Sequence, residues 1–509
     1  MRSSFRKQDM KNIRIIILLL FQIVLTLHVK AQTNMAFYPI ENQFNSYNYN
    51  PAFLTSKGQF TFSIFPLAGT NFGYNNQNEI QNLISKLLSG INEDKDYIEL
   101  VKSMVNRPTF YQKIESELLT FTFRSKMGIL NFRVMENVSF SASVKGPVSE
   151  FMILPEVRSV VINEVQRIPA LILHFREYSI GYSMSPKKNK LSAGIRAKLY
   201  FGKGVFSSEI SGSIQDQSGN YLLKTWGKGN LSMPEETILN NDGTTTSIPS
   251  LAKSSVTSYL MNSGNPGFGI DLGVKYKITP KLSFSMSVID LGKINWKSNL
   301  NSKSFDGMYN FNPSSFTKGY DQDSEIITKT SDSIAFLDAQ SYEFKLTQVK
   351  SPFSTSLPLT FYAGINYQIL PEIKLNLVDR YILMKDLNHH TFSITASFDL
   401  DKNLTVNTGY SIIGNTYSNI PLAVLLNRDF GQIYLGTDNL MAFLAPSISE
   451  FSGLSFGACF YLFRKRDLYG TPTSEFPYHK PKKLRKVKND GRILKEVPEH
   501  ISPMPFKNK

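Results

Sequence analysis

The sequence predicts an all-β chain that closes as a transmembrane up-and-down β-barrel of about fourteen strands, within bounds of about 12 and about 16, with short helices in an N-terminal insertion. Three observations predict it. Segments that alternate apolar with small or polar side chains recur along most of the 509 residues. The connections between them alternate short with long. Beyond the first thirty-one residues, no apolar run approaches the roughly twenty residues that a helical span requires. The composition agrees: 37 Phe and 24 Tyr against 2 Trp, set among Ser, Thr, Gly and Asn, is that of strands and their turns.

Taken in order, residues 1–31 read as a signal peptide. Arg2, Arg6, Lys7, Lys11 and Arg14 precede an apolar stretch from Ile15 to Leu27, and Val29-Lys30-Ala31 offers the short residues a signal peptidase accepts. Cleavage between Ala31 and Gln32 and export are expected. Residues 32–59 form an N-terminal segment, with "FNSYNYNPAFL" lacking a strict period, and are a candidate plug for a lumen. Phe60–Phe65 is an extra candidate strand, outside the fourteen that follow. Ile80, Leu83, Ile84, Leu87 and Leu88 share one helix face, with Asn78 and Gln81 as a capping box, and Tyr97, Ile98, Val101 and Met104 form a second patch.

Strands then follow at Leu118–Arg124, Gly128–Val134, Val138–Lys145, Glu177–Met184, Leu191–Phe201, Phe268–Ile278 and Leu282–Asp290. The series continues at Leu359–Ile369, Ile373–Met384, Thr391–Asp399, Leu404–Ile412, Ala423–Arg428, Gln432–Gly436 and Leu454–Phe463, with Val205–Ser211 as an extra. The barrel is therefore expected over residues 60–463. A soluble sandwich would show the same alternation of residues, so the period alone leaves that reading open. The connections discriminate. Thr279–Lys281, Leu370–Glu372, Leu400–Asn403 and Asp429–Gly431 are short, whereas Leu291–Pro358, Lys385–His390, Ile413–Leu422 and Thr437–Gly453 are longer. Outer-membrane barrels keep this parity because periplasmic turns are tight and outer loops are free to grow. It directs the last strand toward the periplasm and places the tail, residues 464–509, there.

The net charge of +15 belongs to the chain ends. Residues 1–31 carry six Lys/Arg and one acid, and residues 464–509 carry thirteen Lys/Arg and five acids, leaving 37 basic against 35 acidic residues between them. Nucleic acid is therefore not an expected partner of the body. A single Cys, Cys459, excludes an intrachain disulfide. Gly453-Leu454-Ser455-Phe456-Gly457 spells G-x-S-x-G, but alternation runs on through Phe463 where a nucleophile elbow needs a sharp turn and a helix. His389-His390 reads as a solvated loop without a third ligand at metal spacing. No catalytic, metal or cofactor site is expected. On the alternate face, Arg196, Lys198, Asp271, Lys275, Lys277 and Asp399 become lumen-facing candidates. Bracing of the wall is the first role expected of them, a wall-to-plug network or polar path the second.

Asn50-Pro51-Ala52-Phe53 resembles the Asn-Pro-Ala element of FadL-like outer-membrane transporters and of the PorV and PorP/SprF barrels of Bacteroidota. "ELLTFTFRSKMGILNFRVMENVSFSASV", "HFREYSIGYSMSPKKNKLSAGIRAKLYFGKG" and the Phe268–Gly292 hairpin are similar to a domain-of-unknown-function family of Bacteroidota barrels. Ser455, Gly457, Phe460 and Leu462 resemble a closing-strand signal for barrel assembly. The resemblance spans most of Asn50–Phe463 and implies a FadL-like barrel with its N-terminal segment near or inside the lumen; Asn50, Pro51 and Ala52 match position by position. A channel for hydrophobic or small solutes is then the leading expectation. A non-transporting barrel that anchors or shuttles surface or secreted proteins is the alternative, and a soluble secreted β protein is a further one. Expected partners are outer-membrane lipid and, through Arg464–Lys509, a periplasmic or secretion-apparatus protein. That tail carries six prolines and lies outside the resemblance.

Overall fold

Period-2 segments that expose apolar side chains on one face can satisfy every backbone group in lipid only by closing on themselves. A computed structural model describes residues 35–53, 59–75, 109–143, 166–217, 220–239, 245–249, 256–311, 342–449, 451–462, 488–489 and 492–493, apart from breaks at 126, 188–189, 385–387, 402, 415 and 446–448. The strands are β1 (Phe60–Ile64), β2 (Thr70–Asn75), β3 (Thr109–Arg124), β4 (Ile129–Ser143), β5 (Gln166–Lys187), β6 (Leu191–Gln217), β7 (Asn220–Ser232), β8 (Glu235–Leu239) and β9 (Thr245–Pro249). After helix α1 (Val256–Leu260) come β10 (Pro266–Lys277), β11 (Leu282–Trp296), β12 (Ser302–Phe311), β13 (Tyr342–Val349), β14 (Phe353–Ser356), β15 (Leu359–Leu370) and β16 (Ile373–Leu383). The rest are β17 (His389–Asp399), β18 (Leu404–Ile413), β19 (Thr416–Asn419), β20 (Leu422–Asn427), β21 (Gly431–Thr437), helix α2 (Met441–Leu444) and β22 (Phe451–Leu462). The segment Ser474–Lys509 is a separate unit in which β23 (Lys488–Asn489) pairs antiparallel with β24 (Arg492–Ile493).

Among the described residues, fourteen staves close an antiparallel ring in chain order. β1 and β2 are two halves of the first stave, because both pair with β3 on one side and β22 on the other (Phe60↔Leu462, Thr70↔Phe456). The ring then runs β3, β4, β5, β6, β10, β11, β15, β16, β17, β18, β20, β21 and β22. Every link at one end is short (residues 125–128, 188–190, 278–281, 371–372, 400–403 and 428–430), and every link at the other is longer, up to residues 297–358. β1 starts and β22 ends at the short-turn end. Loop parity therefore holds round the whole circuit, as an up-and-down barrel requires.

Side-chain polarity is inside out. On β17, Ser393, Thr395 and Ser397 are buried toward the lumen while Ile394 between them is 51% exposed. On β10, Asp271 is buried and Phe268, Leu272 and Val274 are exposed. A soluble sandwich would bury the isoleucines and wet the serines; burying the polar row and presenting the apolar row outward is the arrangement suited to lipid.

The count of fourteen conceals an exchange. The segments Gly128–Val134 and Val138–Lys145 were expected as two strands but form one, β4. Glu136 interrupts its outward apolar row, held there by His174 and Arg176 of β5. The first stave, from Phe60–Ile64 and an unforeseen β2, restores the number. Val205–Ser211 is not a separate strand but the continuation of β6. Beyond the ring, the ends of β5 and β6 carry an antiparallel extension through β7, β12 and β13, and β14 pairs with the end of β11. Leu173, Phe175, Tyr200, Val205, Ile294, Trp296 and Leu357 form a buried apolar cluster at this long-loop end. Residues 1–34, both helical patches expected within residues 76–108, and most of the tail lie outside the described residues.

Candidate functional site in the filled lumen

Residues 35–53 lie inside the ring. Met35, Ala36, Phe37, Tyr38, Ile40, Phe44, Tyr49 and Phe53 join Tyr362, Val378, Ala423, Leu425 and Tyr434 of the wall in one buried cluster. Tyr38 stacks on Tyr362 with ring centroids 5.1 Å apart, and Phe37 meets Tyr434 edge to face at 5.0 Å. The segment has no strand ladder, so its backbone polar groups must find partners elsewhere. Side chains of the wall supply many of them. Arg196 Nη2 donates to the Tyr47 carbonyl at 2.5 Å, Ser287 Oγ to that of Tyr49 at 2.5 Å, and Asn407 Nδ2 to that of Ala36 at 2.8 Å. Ser183 donates to the Pro51 carbonyl. The Phe44 amide donates to Gln432 Oε1 at 2.6 Å and the Ala36 amide to Asp438 Oδ1 at 2.9 Å. Where the first stave breaks between β1 and β2, Asn45 Nδ2 donates to the Ala68 carbonyl at 3.2 Å and to Tyr434 Oη at 3.1 Å.

The Asn-Pro-Ala element rests against two glycines paired in register across β6 and β10, Gly194 and Gly273. A Cβ on Gly194 would lie 2.0 Å from the Pro51 carbonyl oxygen, and one on Gly273 would lie 2.1 Å from Asn50 Oδ1. Only glycine admits so close an approach. Asn50 folds its own turn by accepting from the Ala52 amide at 2.9 Å, and donates through Nδ2 to the Met286 carbonyl at 3.1 Å. The element is thus bonded both to itself and to the wall.

Beside it lies a buried charge network. Arg196 reaches Asp271 at 3.2 Å and carries its guanidinium 4.9 Å from the Tyr47 ring centroid. Lys198 lies 2.9 Å from Asp271, 2.5 Å from Asp290 and 3.4 Å from Glu177. Arg133 pairs with Glu177 and donates to Asn48. Asn48 in turn donates to Glu117 at 2.5 Å. Asp290 reaches this network through a bulge. β11 carries an extra residue opposite Asp271, Asp290 sits at φ 64, and its amide donates to Asp271 Oδ1 at 2.8 Å. Buried charges persist only when paired and hydrogen-bonded, and here the ion pairs join five staves, β4, β5, β6, β10 and β11, while hydrogen bonds tie them to the enclosed segment.

The six candidates thus separate. Arg196, Lys198 and Asp271 come together at the centre, and of the three Arg196 also bonds the segment, at the Tyr47 carbonyl. Lys275 stands apart and pairs with Glu41 of the segment. Lys277 is exposed and Asp399 half-buried at the short-turn rim, where Asp399 accepts from Lys374 at 3.3 Å and Thr405 at 2.7 Å. Sequence reasoning missed Glu117, Arg133, Glu177 and Asp290. Of the remaining motifs, Ser455 is buried within β22, where no nucleophile elbow forms. His389-His390 opens β17 rather than lying in a loop, and His390 faces Asp379 at 2.5 Å. Among the described residues, no cluster of ligating side chains could hold a metal.

On the long-loop side of the segment lies a cavity of about 50 Å³ bordered by Lys113, Glu115, Arg133, Lys198, Asp290 and Arg380, with Tyr111 and Tyr362 among them. Residues 51–438 match the family of unknown function DUF5723. The chain belongs to that family. No curated protein matches it. Among solved structures this DUF5723 chain is similar to the toluene transporter TbuX of Ralstonia pickettii, at 11% identity over 82% of this chain and 93% of that one with a TM-score of 0.36. It is also similar to the TodX monoaromatic hydrocarbon channel with the ΔS2S3 mutation, at 11% identity, 85% and 95% coverage and a TM-score of 0.37. A FadL homologue of Pseudomonas aeruginosa aligns at 9% identity, 85% and 98% coverage and a TM-score of 0.32.

Proposed function

We propose that this chain is an outer-membrane barrel of the transporter kind, exported through residues 1–31, in which residues 32–53 act as a plug that shifts before solute passes. The observation that carries the reading is the burial of Met35–Phe53 inside a closed ring, held by side chains of the wall. Apolar packing fills the space, and side chains of the wall hold the backbone of the segment as well; a bond between neutral groups is worth about 1 kcal/mol net, so such bonds can be exchanged for water one at a time. The charged border of the cavity beyond it favours a small polar solute over a hydrophobic one.

The test is swelling of liposomes that carry the mature chain in a small neutral sugar. Little uptake is expected from the full chain, and several-fold more from Gly194→Ala/Gly273→Ala, whose added methyl groups crowd Asn50 and Pro51. Equal uptake by both would count against a plug.

A second reading, a barrel that anchors or carries other proteins without transporting, is favoured by the buried apolar cluster around Trp296 at the long-loop end. It predicts no uptake from either chain, and a partner that co-purifies only while residues 464–509 are present.

A further inference from the structure

At the short-turn end, between the enclosed segment and the rim, opens a second cavity of about 280 Å³. Lys275, Lys277 and Lys281 of the β10–β11 hairpin and Lys374 of β16 all border it. Two acids, Glu41 and Asp399, stand against these four lysines. Lys374 is matched by Asp399 at 3.3 Å, whereas among the described residues no acid lies within ion-pair range of Lys277 or Lys281. The cavity therefore carries surplus positive charge beside a carboxylate that belongs to the chain itself. That carboxylate is held as a ligand would be: Lys275 pairs with one oxygen of Glu41, and Asn366 Nδ2 donates to the other at 2.9 Å. Glu41 keeps about a quarter of its side-chain surface exposed, so it sits at the cavity's edge and not in sealed core.

We infer that this cavity binds small solutes bearing two or more carboxylates, one of which replaces Glu41 on Lys275 and Asn366 while the others meet Lys277 and Lys281. The inference rests on the reading of residues 32–53 as a displaceable plug, since Glu41 must yield its place. Carboxylate is the class indicated because the pair of donors already holds a planar carboxylate through both of its oxygens. An internal competitor at high effective concentration weakens every external ligand, so removing its charge must tighten binding.

The probe is citrate, titrated calorimetrically into the full mature chain in detergent, with glucose as a neutral control. Heat-modifiable gel migration shows that each variant is folded. The expected result is citrate binding without glucose binding, tightened about fivefold or more by Glu41→Gln and weakened about tenfold by Lys277→Gln/Lys281→Gln. Affinity unchanged or lowered in Glu41→Gln would overturn the inference, as would affinity unchanged in the double lysine variant. The readout needs no flux through the barrel, so a failure of the plug to gate transport and a failure of this site to bind are told apart.

Discussion

Gly194 and Gly273 show most directly how single residues place the segment inside the ring. Each lacks the side chain that would strike Asn50 or Pro51 at about 2 Å. Asp271 is the matching electrostatic position, because Arg196 and Lys198 both converge on it. Asp271→Asn leaves these two buried cations with one shared acid fewer and is expected to cost about 3 kcal/mol, seen as a lower temperature for the shift from folded to unfolded gel migration. Asp399→Asn, at the half-buried rim, is expected to cost under about 1 kcal/mol in the same assay. Arg196, Lys198 and Asp271 were legible because each alternates with apolar neighbours on a clearly periodic strand. The same parity marks Arg133, between Phe132 and Val134, and Glu177, one residue before Tyr178. What parity could not show is which charges meet, since Arg133, Glu177, Lys198 and Asp290 come from four strands far apart in sequence. Asp290 was hidden for a further reason: its inward position depends on a bulge, which shifts the period at that point.

Single elements show where alternation misleads. Glu136 interrupts the outward apolar row of β4, so alternation alone divides that strand in two. In the fold Glu136 marks a change in surroundings, not the end of the strand, and is bonded by His174 at 2.8 Å and Arg176 at 2.6 Å. Tyr259 of α1 closes over the same histidine at 2.7 Å, and burial pushes its phenol up to about 12. Period alone does not show the extension beyond the ring, because β12 and β13 lie within the long connection Leu291–Pro358 and pair with each other or with the remote β7. The ends of β5, β6 and β11 and the short β14 pack on the Trp296 cluster, in which the indole donates to Thr355 at 3.1 Å and stacks on Phe353. Trp296→Ala is expected to cost about 3 to 5 kcal/mol locally. Hydrogen exchange should then quicken in β14 and the adjoining ends of β6 and β11, with β16–β18 unchanged; uniform quickening round the ring would show that the cluster does not stabilise this end locally.

On the scale of the whole molecule, the alternation that suited either a sandwich or a barrel is decided by which face is buried. Serines, threonines and asparagines line the inside with the N-terminal segment, and isoleucines, leucines and phenylalanines face outward. Loop parity, read from connection lengths alone, anticipated this closure because every second link in an up-and-down barrel is confined to a tight turn. The presence of residues 35–53 within the ring could not be read from period or composition, since an irregular aromatic and Asn-rich stretch carries no pattern of its own. Only its Asn-Pro-Ala resemblance hinted at a place near the lumen. The charge, nearly balanced between residues 32 and 463, fits a lumen whose central cations, Arg133, Arg196 and Lys198, are met by acids. The central claim is that this segment closes the barrel. Planar-bilayer conductance of the mature chain, compared with the same chain lacking residues 32–53, tests it most directly. A silent full chain and a steadily conducting truncated one are predicted; equal conductance from both would contradict the account.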